Sequence, residues 1–354
     1  MKVCILGCGL TSLSLAKTLI NQGLRVDLFS DYTKNIYLKS QTIGISKSNV
    51  NFFNSHILNI NKFLWRIKRI NIYTENFKNE EILNFENNNK EVFSIAKNFK
   101  LYDYLLQELK KDKFFKIKKN KAFFKQSYEL VINCNPNHLF TKKFFYKNLK
   151  KNYHSFGYVT VIKHVSFKND IAKQIFTKNG PIAFLPISRT ETSIVYSARG
   201  EKKISKKEIK TIIKKFSKEY KIKKISDIKS FELKSSNLRV YFHKNILAFG
   251  DLLHRLHPHA GQGFNMVIRD IKVLSELVSF RSSVGIQLDS SIFPEFEKKK
   301  KSRNYLFSNG IDFIYEFFNI ESKVKNRLMS KSVQLLGKNK ILKKAFMNLA
   351  DNGI

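Results

Sequence analysis

The stretch GDLLHRLHPHAGQGFN at residues 250–265 gathers three histidines, a proline and three glycines. Two chemistries compete for it. His254, His257 and His259 are ligand types for zinc or iron, but the spacing H-x2-H-x-H comes without a companion cysteine or carboxylate cluster. On an irregular loop three imidazoles need not converge. The other residues fit a loop shaped around an organic ligand. Gly250 and Asp251 follow the apolar run NILAF, which sets a carboxylate at the C-terminal edge of a strand, where open α/β sheets bind ligands. Gly261 and Gly263 allow close backbone approach. Asn265 opens a helix whose N-terminus aims amide donors and a positive dipole end at whatever sits there. Such a setting suits polyol hydroxyls and a ring that becomes anionic.

A second candidate lies at the start of the chain. GCGLTS places Gly7, Gly9 and Ser12 where a dinucleotide fingerprint has three glycines. The first permits a tight turn, the second lets backbone approach a pyrophosphate, and the third allows close packing of helix on strand. Ser12 is small enough for that third role. The helix N-terminus then supplies N–H donors to phosphate. The acid that would hold a ribose hydroxyl at the end of the next strand is replaced by Ser30, with Asp31 after it. Strand alternation sends these two side chains opposite ways.

The elements that must position these residues are legible in outline. Val3–Leu6 is a short apolar run suited to a parallel strand covered on both faces. Leu10, Leu13, Ala16 and Leu19 recur at helical spacing, Gly23 sits where a helix ends, and RVDLF resumes strand character. Residues 31–60 look irregular and polar. INIYTEN near 70–76 and ILNFENN at 82–88 predict a hairpin or meander. FKLYDYLLQELKKD is an amphipathic helix, YELVINC at 128–134 a buried strand. Runs at 158–167, 182–188 and 192–198 predict an antiparallel sheet. Ile209, Ile213 and Phe216 mark a helix with a solvated lysine face, and a longer helix follows residue 263. Beyond about 286 the chain reads as mostly helical. The nucleotide-type elements flank a strand-rich middle, so the domains interleave.

Composition bounds the partners. The 354 residues are 43% hydrophobic and 13% aromatic, which excludes global disorder. Sixty-five Lys and Arg against 28 Asp and Glu give a net charge of +37. The lysines are scattered along the chain together with abundant Asn, Ile and Phe, the bias of an AT-rich genome. No RNP, zinc-finger or helix-turn-helix pattern accompanies them, so nucleic acid is not expected. The field would still attract anionic lipid or acidic partners. Cys4, Cys8 and Cys134 follow no framework spacing, and no leader or run of ~18–20 apolar residues is evident, so a cytoplasmic protein is expected. Cys4 and Cys8 read as small apolar fillers around the first strand.

The 250–270 segment resembles the Gly-Asp motif of FAD-dependent aromatic hydroxylases, specifically their ubiquinone-biosynthesis branch. The match runs through Gly250, Asp251, His254, Pro258, Gly261, Gln262, Gly263, Asn265, Arg269 and Asp270. GPIAFLP at 180–186 is similar to the family's substrate-domain strand, and the helical tail resembles its C-terminal region. The resemblance implies an α/β fold: a Rossmann-type FAD-binding domain (1–65, 96–150 and 241–285) interleaved with an antiparallel-sheet substrate domain (66–95 and 151–240), and a helical C-terminal region (286–354). It implies that Gly7, Gly9 and Ser12 hold the ADP pyrophosphate, Asp251 the ribityl chain, and the 258–265 loop the isoalloxazine. It further implies a hydroxylase that uses NAD(P)H and O2 to form a flavin C4a-hydroperoxide, which oxygenates a polyprenyl-phenol precursor of ubiquinone. No side chain is singled out as a catalytic base. A membrane-borne substrate would bring peripheral association with an anionic inner membrane and with other quinone-biosynthesis proteins.

Three sites depart from the family pattern. Asn135 and Pro136 stand near its Asp-Gly motif, Gln41 replaces an arginine, and Ser30 replaces the ribose acid. Together they open an alternative, a non-catalytic relative serving as a binding or scaffolding subunit of a quinone-biosynthesis complex.

Overall fold

A computed structural model describes residues 1–31, 40–75, 80–86, 90–119, 128–256, 261–324 and 339–353. The chain opens as strand β1 (Lys2–Leu6), helix α1 (Leu10–Asn21) and strand β2 (Arg25–Phe29). Leu13, Leu15, Ala16 and Leu19 of α1 are buried against the sheet, as is Cys4 of β1. Each leucine so covered contributes roughly 1.5–3 kcal/mol by leaving water.

The segment expected to be irregular holds structure. It forms strand β3 (Thr42–Ser46) and helix α2 (Lys47–Phe52), continued by a π-helical stretch. Strands β4 (Trp65–Ile67), β5 (Arg69–Thr74), β6 (Glu81–Glu86) and β7 (Phe93–Lys97) follow. β5 and β6 pair antiparallel as the sequence predicts, while β3, β7 and β4 form a small sheet of their own. That sheet escaped notice because its partners are remote in sequence and Gly44 interrupts the alternation of Ile43 and Ile45. Helix α3 (Asn98–Lys110), strands β8 (Phe115–Lys118) and β9 (Leu130–Asn133), and helix α4 (Leu139–Phe144) return to the first layer.

The strand-rich middle comprises β10 (Asn148–His164), β11 (Ile171–Thr177), β12 (Gly180–Pro186) and β13 (Glu191–Arg199). β10 starts ten residues earlier than its apolar run. Its polar first half is held by pairing with β15 across an irregularity between Asn152 and Phe156. Helix α5 (Lys206–Phe216) begins with a capping box between Ser205 and Glu208 and buries Ile209 and Ile213. Strands β14 (Ile222–Ile225), β15 (Lys229–Leu238), β16 (Phe242–His243), β17 (Ile246–Ala248) and β18 (His254–Arg255) precede helices α6 (Gly263–Ser283), α7 (Ile292–Val324) and α8 (Lys340–Asn352).

Two large sheets share these strands. One has six, in the order β16-β17-β9-β1-β2-β8, with β1, β2, β8, β9 and β17 parallel. The other has nine: β18-β15-β10-β13-β12-β11-β5-β6 with β14 paired to β10. It is antiparallel except where β11 meets β5. The interleaving expected from sequence is therefore observed. The small sheet is stitched to the large antiparallel one by Thr42 Oγ1 donating to Ser193 Oγ at 2.9 Å and by Lys97 Nζ on Glu191 at 2.6 Å.

Candidate functional site

Three chain exits lie side by side at the C-terminal edge of the parallel sheet. Leu6 of β1 and Ala248 of β17 both register with Asn133, the last residue of the intervening β9. The chain leaves β1 through Gly7, β9 through Cys134 and β17 through Phe249 and Gly250. Cys134 N donates to Leu6 O and Phe249 N to Asn133 O, each at 2.9 Å. Gly7 has φ +107°, and a Cβ there would lie 3.4 Å from the backbone N of Asn135. Gly250 has φ +70°, and its Cβ would come within 2.6 Å of Thr11 Cγ2. Both positions thus need glycine for conformation, and Gly250 needs it for room as well. The two motifs, far apart in sequence, are packed against one another.

Helix α1 supplies donors to this edge. Gly9 is its N-cap and offers no side chain, the first turn has no acid, and the first intrahelical bond is Leu13 N to Gly9 O at 3.0 Å. The amides of Thr11 and Ser12 precede that bond, at the positive end of the helix. Ser12 is buried, with its hydroxyl beside the Cys134 thiol. Burial pushes that thiol up to about 12, and the Asp251 carboxylate adds to the rise. A thiol so placed stays protonated at neutral pH and is no nucleophile. Asp251 directly follows Gly250, which packs against Thr11 of α1.

Asp251 lies in a 3-10 turn, Gly250–Leu252, and is exposed. Its pKa is nonetheless raised, because surrounding protein desolvates the carboxylate more than His254 and Arg255 stabilise its charge. Gln262 is the N-cap of α6, and the first bond of that helix is Met266 N to Gln262 O at 3.0 Å. The amides of Gly263, Phe264 and Asn265 lie ahead of it. Among the described residues, a Cβ on Gly263 would meet no atom within 4 Å.

The Asn265 side chain is committed within the protein. It donates to Gly44 O at 3.1 Å and Gly261 O at 3.2 Å, and accepts from Ser46 N at 2.8 Å and Asn49 Nδ2 at 2.9 Å. It builds the turn, and only its backbone amide is turned to the helix start. His254 is buried and turned away from the loop, with Nε2 2.5 Å from Asp270 Oδ2. Asp270 also meets Lys300 Nζ at 3.1 Å and Asn304 Nδ2 at 3.2 Å. Burial works to raise the Asp270 pKa, but Lys300 and His254 outweigh it and hold the carboxyl below its ordinary range. Pro258, His257 and His259 lie outside the described residues.

At the end of β2, Ser30 is buried with its amide on Lys118 O at 2.9 Å, whereas Asp31 is exposed. Gln41 sits just before β3, its carbonyl accepting from Asn98 N at 3.1 Å. Asn135 caps its own turn: its amide donates to Asn133 Oδ1 at 3.0 Å and its Oδ1 accepts from Asn137 N at 2.9 Å.

A family model described as an FAD-binding domain matches residues 160–279. The chain is 25% identical over 156 residues to the 3-demethoxyubiquinol 3-hydroxylase of Escherichia coli, covering 42% of this chain and 40% of that one. It is 27% identical over 127 residues to the mitochondrial ubiquinone biosynthesis monooxygenase COQ6 of Schizosaccharomyces pombe, covering 35% of this chain and 26% of that one. Over part of its length the chain is thus similar to hydroxylases of ubiquinone biosynthesis. These alignments span less than half the length of either relative. Over nearly its whole length the chain also shares its fold with flavoprotein hydroxylases. The p-nitrophenol 4-monooxygenase PnpA of Pseudomonas putida aligns at TM-score 0.80 and 11% identity, covering 98% of this chain and 96% of that one. HpxO of Klebsiella pneumoniae, solved with FAD and uric acid, aligns at 0.77 and 11%, covering 99% and 96%.

The sheet edge thus presents a donor set that fits FAD. Helix-start amides suit the diphosphate, the exposed Asp251 carboxylate suits hydroxyls, and the start of α6 suits a ring that gains negative charge. Sequence reasoning missed Thr11, whose methyl dictates glycine at 250, and the Ser46–Asn49 segment that holds Asn265. Only Thr11 left a signal, its place inside the fingerprint turn.

Proposed function

We propose that the chain is an FAD-dependent monooxygenase that hydroxylates a polyprenylated phenol on the route to ubiquinone. The observation that carries this reading is the meeting of Gly7 and Gly250-Asp251 at one edge of the parallel sheet. The amides at Gly9, Thr11 and Ser12 hold the diphosphate and the Asp251 carboxylate accepts from ribityl hydroxyls. The 261–265 turn, with Gly261, Gln262 and Gly263, fronts the isoalloxazine, and Asp31 stands where Ser30 leaves the ribose without an acid. Bound FAD, once reduced by NAD(P)H, supplies the activation of O2 through which one oxygen atom enters the ring and the other leaves as water. The protein's own part is to bind, orient and exclude water.

The helical region supports a membrane-borne substrate. Among the described residues no helix is long and apolar enough to cross a membrane. Leu306, Phe313 and Ile320 of α7 are exposed on one helix face, with exposed Lys298, Lys299 and Arg303 upstream. A basic face running into an apolar stripe suits peripheral contact with anionic lipid. The test is NAD(P)H oxidation and product analysis by FAD-reconstituted protein given a prenylated phenol in anionic vesicles. Phenol-dependent turnover with one added oxygen supports the reading. Protein that binds FAD but neither consumes NAD(P)H nor oxygenates the phenol would leave the scaffolding alternative in its place.

A further inference from the structure

The end of α8 docks on the two segments that shape the 261–265 turn. Helix α2 begins at Lys47 with no side-chain cap from Ser46. Its cap comes instead from the far end of the chain: Asp351 Oδ1 accepts from Ser48 N at 2.8 Å. The backbone carbonyl of Asp351 accepts from Ser46 Oγ at 2.9 Å and Ser48 Oγ at 2.6 Å. Arg269 of α6 donates to the same end, to Ala350 O at 2.8 Å and Asp351 O at 3.1 Å. A carboxylate thus sits at one helix start and a guanidinium at another helix's end, both favourable against the helix dipoles. Burial lowers the Arg269 pKa to about 10, which leaves it charged at neutral pH.

The same residues hold the turn. Ser46 N and Asn49 Nδ2 donate to Asn265 Oδ1, and Arg269 Nη2 lies 3.4 Å from Gln262 Oε1. We infer that residues 350–351 are a clasp that fixes the 261–265 turn in its flavin-receiving shape, with Asp351 and Arg269 as positioning residues. This rests on the FAD reading for what the turn receives, though not for the clasp itself. Without the clasp, α2 loses its only carboxylate cap and Ser46 loses an anchor, so the turn samples more conformations and binds less tightly.

The test compares the full chain with Asp351→Ala and Asp351→Asn, the latter keeping an Oδ1 acceptor for Ser48 N. FAD affinity is titrated well below the unfolding temperature, and hydrogen exchange is followed over residues 44–50 and 261–268 in flavin-free protein. Asp351→Ala should raise the FAD Kd about tenfold, the scale of one charge-assisted hydrogen bond. It should also speed exchange at Ser46 and Met266, and Asp351→Asn should restore most of both. A lowered thermal midpoint with unchanged Kd and unchanged exchange in both segments would overturn the clasp. If the wild-type chain itself takes no FAD, the FAD reading fails, and the exchange comparison still decides the clasp alone.

Discussion

The turn at Gly7–Ser12 and the loop at 250–265 meet at one edge of one sheet but are built in opposite ways. The first is local. Gly7, Gly9 and the start of α1 make it from adjacent residues, with backbone amides as its chemistry. The second is held from elsewhere: Asn265 by Ser46 and Asn49, Gly250 by the space beside Thr11, and His254 by Asp270, which Lys300 of α7 secures. A local motif tolerates change around it, whereas a remotely held loop fails when a distant partner is lost. The departures at Ser30, Gln41 and Asn135 can be weighed in that light. Asp31 stands exposed beside buried Ser30, and Asn135 completes a self-capped turn.

The largest effect should come from the one carboxylate that both regions face. Asp251→Ala should raise the FAD Kd about a hundredfold, from lost bonds to a charged acceptor, as read by flavin fluorescence during titration. Asn265→Ala acts on the held loop alone. It strands Gly44 O and Ser46 N, so unfolding stability in urea should fall by about 2–4 kcal/mol. Gly250→Ala should lower the thermal midpoint through the clash with Thr11 and the strained φ. Thr11→Ser, which removes the methyl, should return part of that loss and leave the φ cost.

A smaller effect follows from pH. Asp270 has a folded pKa below its ordinary 3.8, so its contribution is complete above that value and is lost as pH falls through the folded pKa. Acid unfolding of wild type should therefore steepen below about pH 4, and Asp270→Asn should flatten that dependence while lowering stability at pH 7. The smallest effect is expected at His257, where alanine should leave flavin content unchanged. Loss of a stoichiometric metal on that change would instead revive the metal reading of the histidines.

What could be read from sequence follows the same division. The α1 turn, the β5–β6 hairpin, α5 and the long α6 are set by near neighbours, and all appear where expected. The Asp251 position was legible because an apolar run ends there. Strand β3 and the first half of β10 were not, since polar residues such as Lys150, Lys151 and Asn152 become strand only through β15. The role of Asn265 was half legible: its place at a helix start could be read, its four internal hydrogen bonds could not.

The central claim, that both regions form one flavin site, is tested most directly by titrating FAD into purified flavin-free protein and recording the visible flavin spectrum. The account predicts saturation at one flavin per chain, a shifted absorbance band, and loss of that saturation in Asp251→Ala. A chain that stays colourless at saturating FAD, or an Asp251→Ala variant that binds as wild type does, would contradict it.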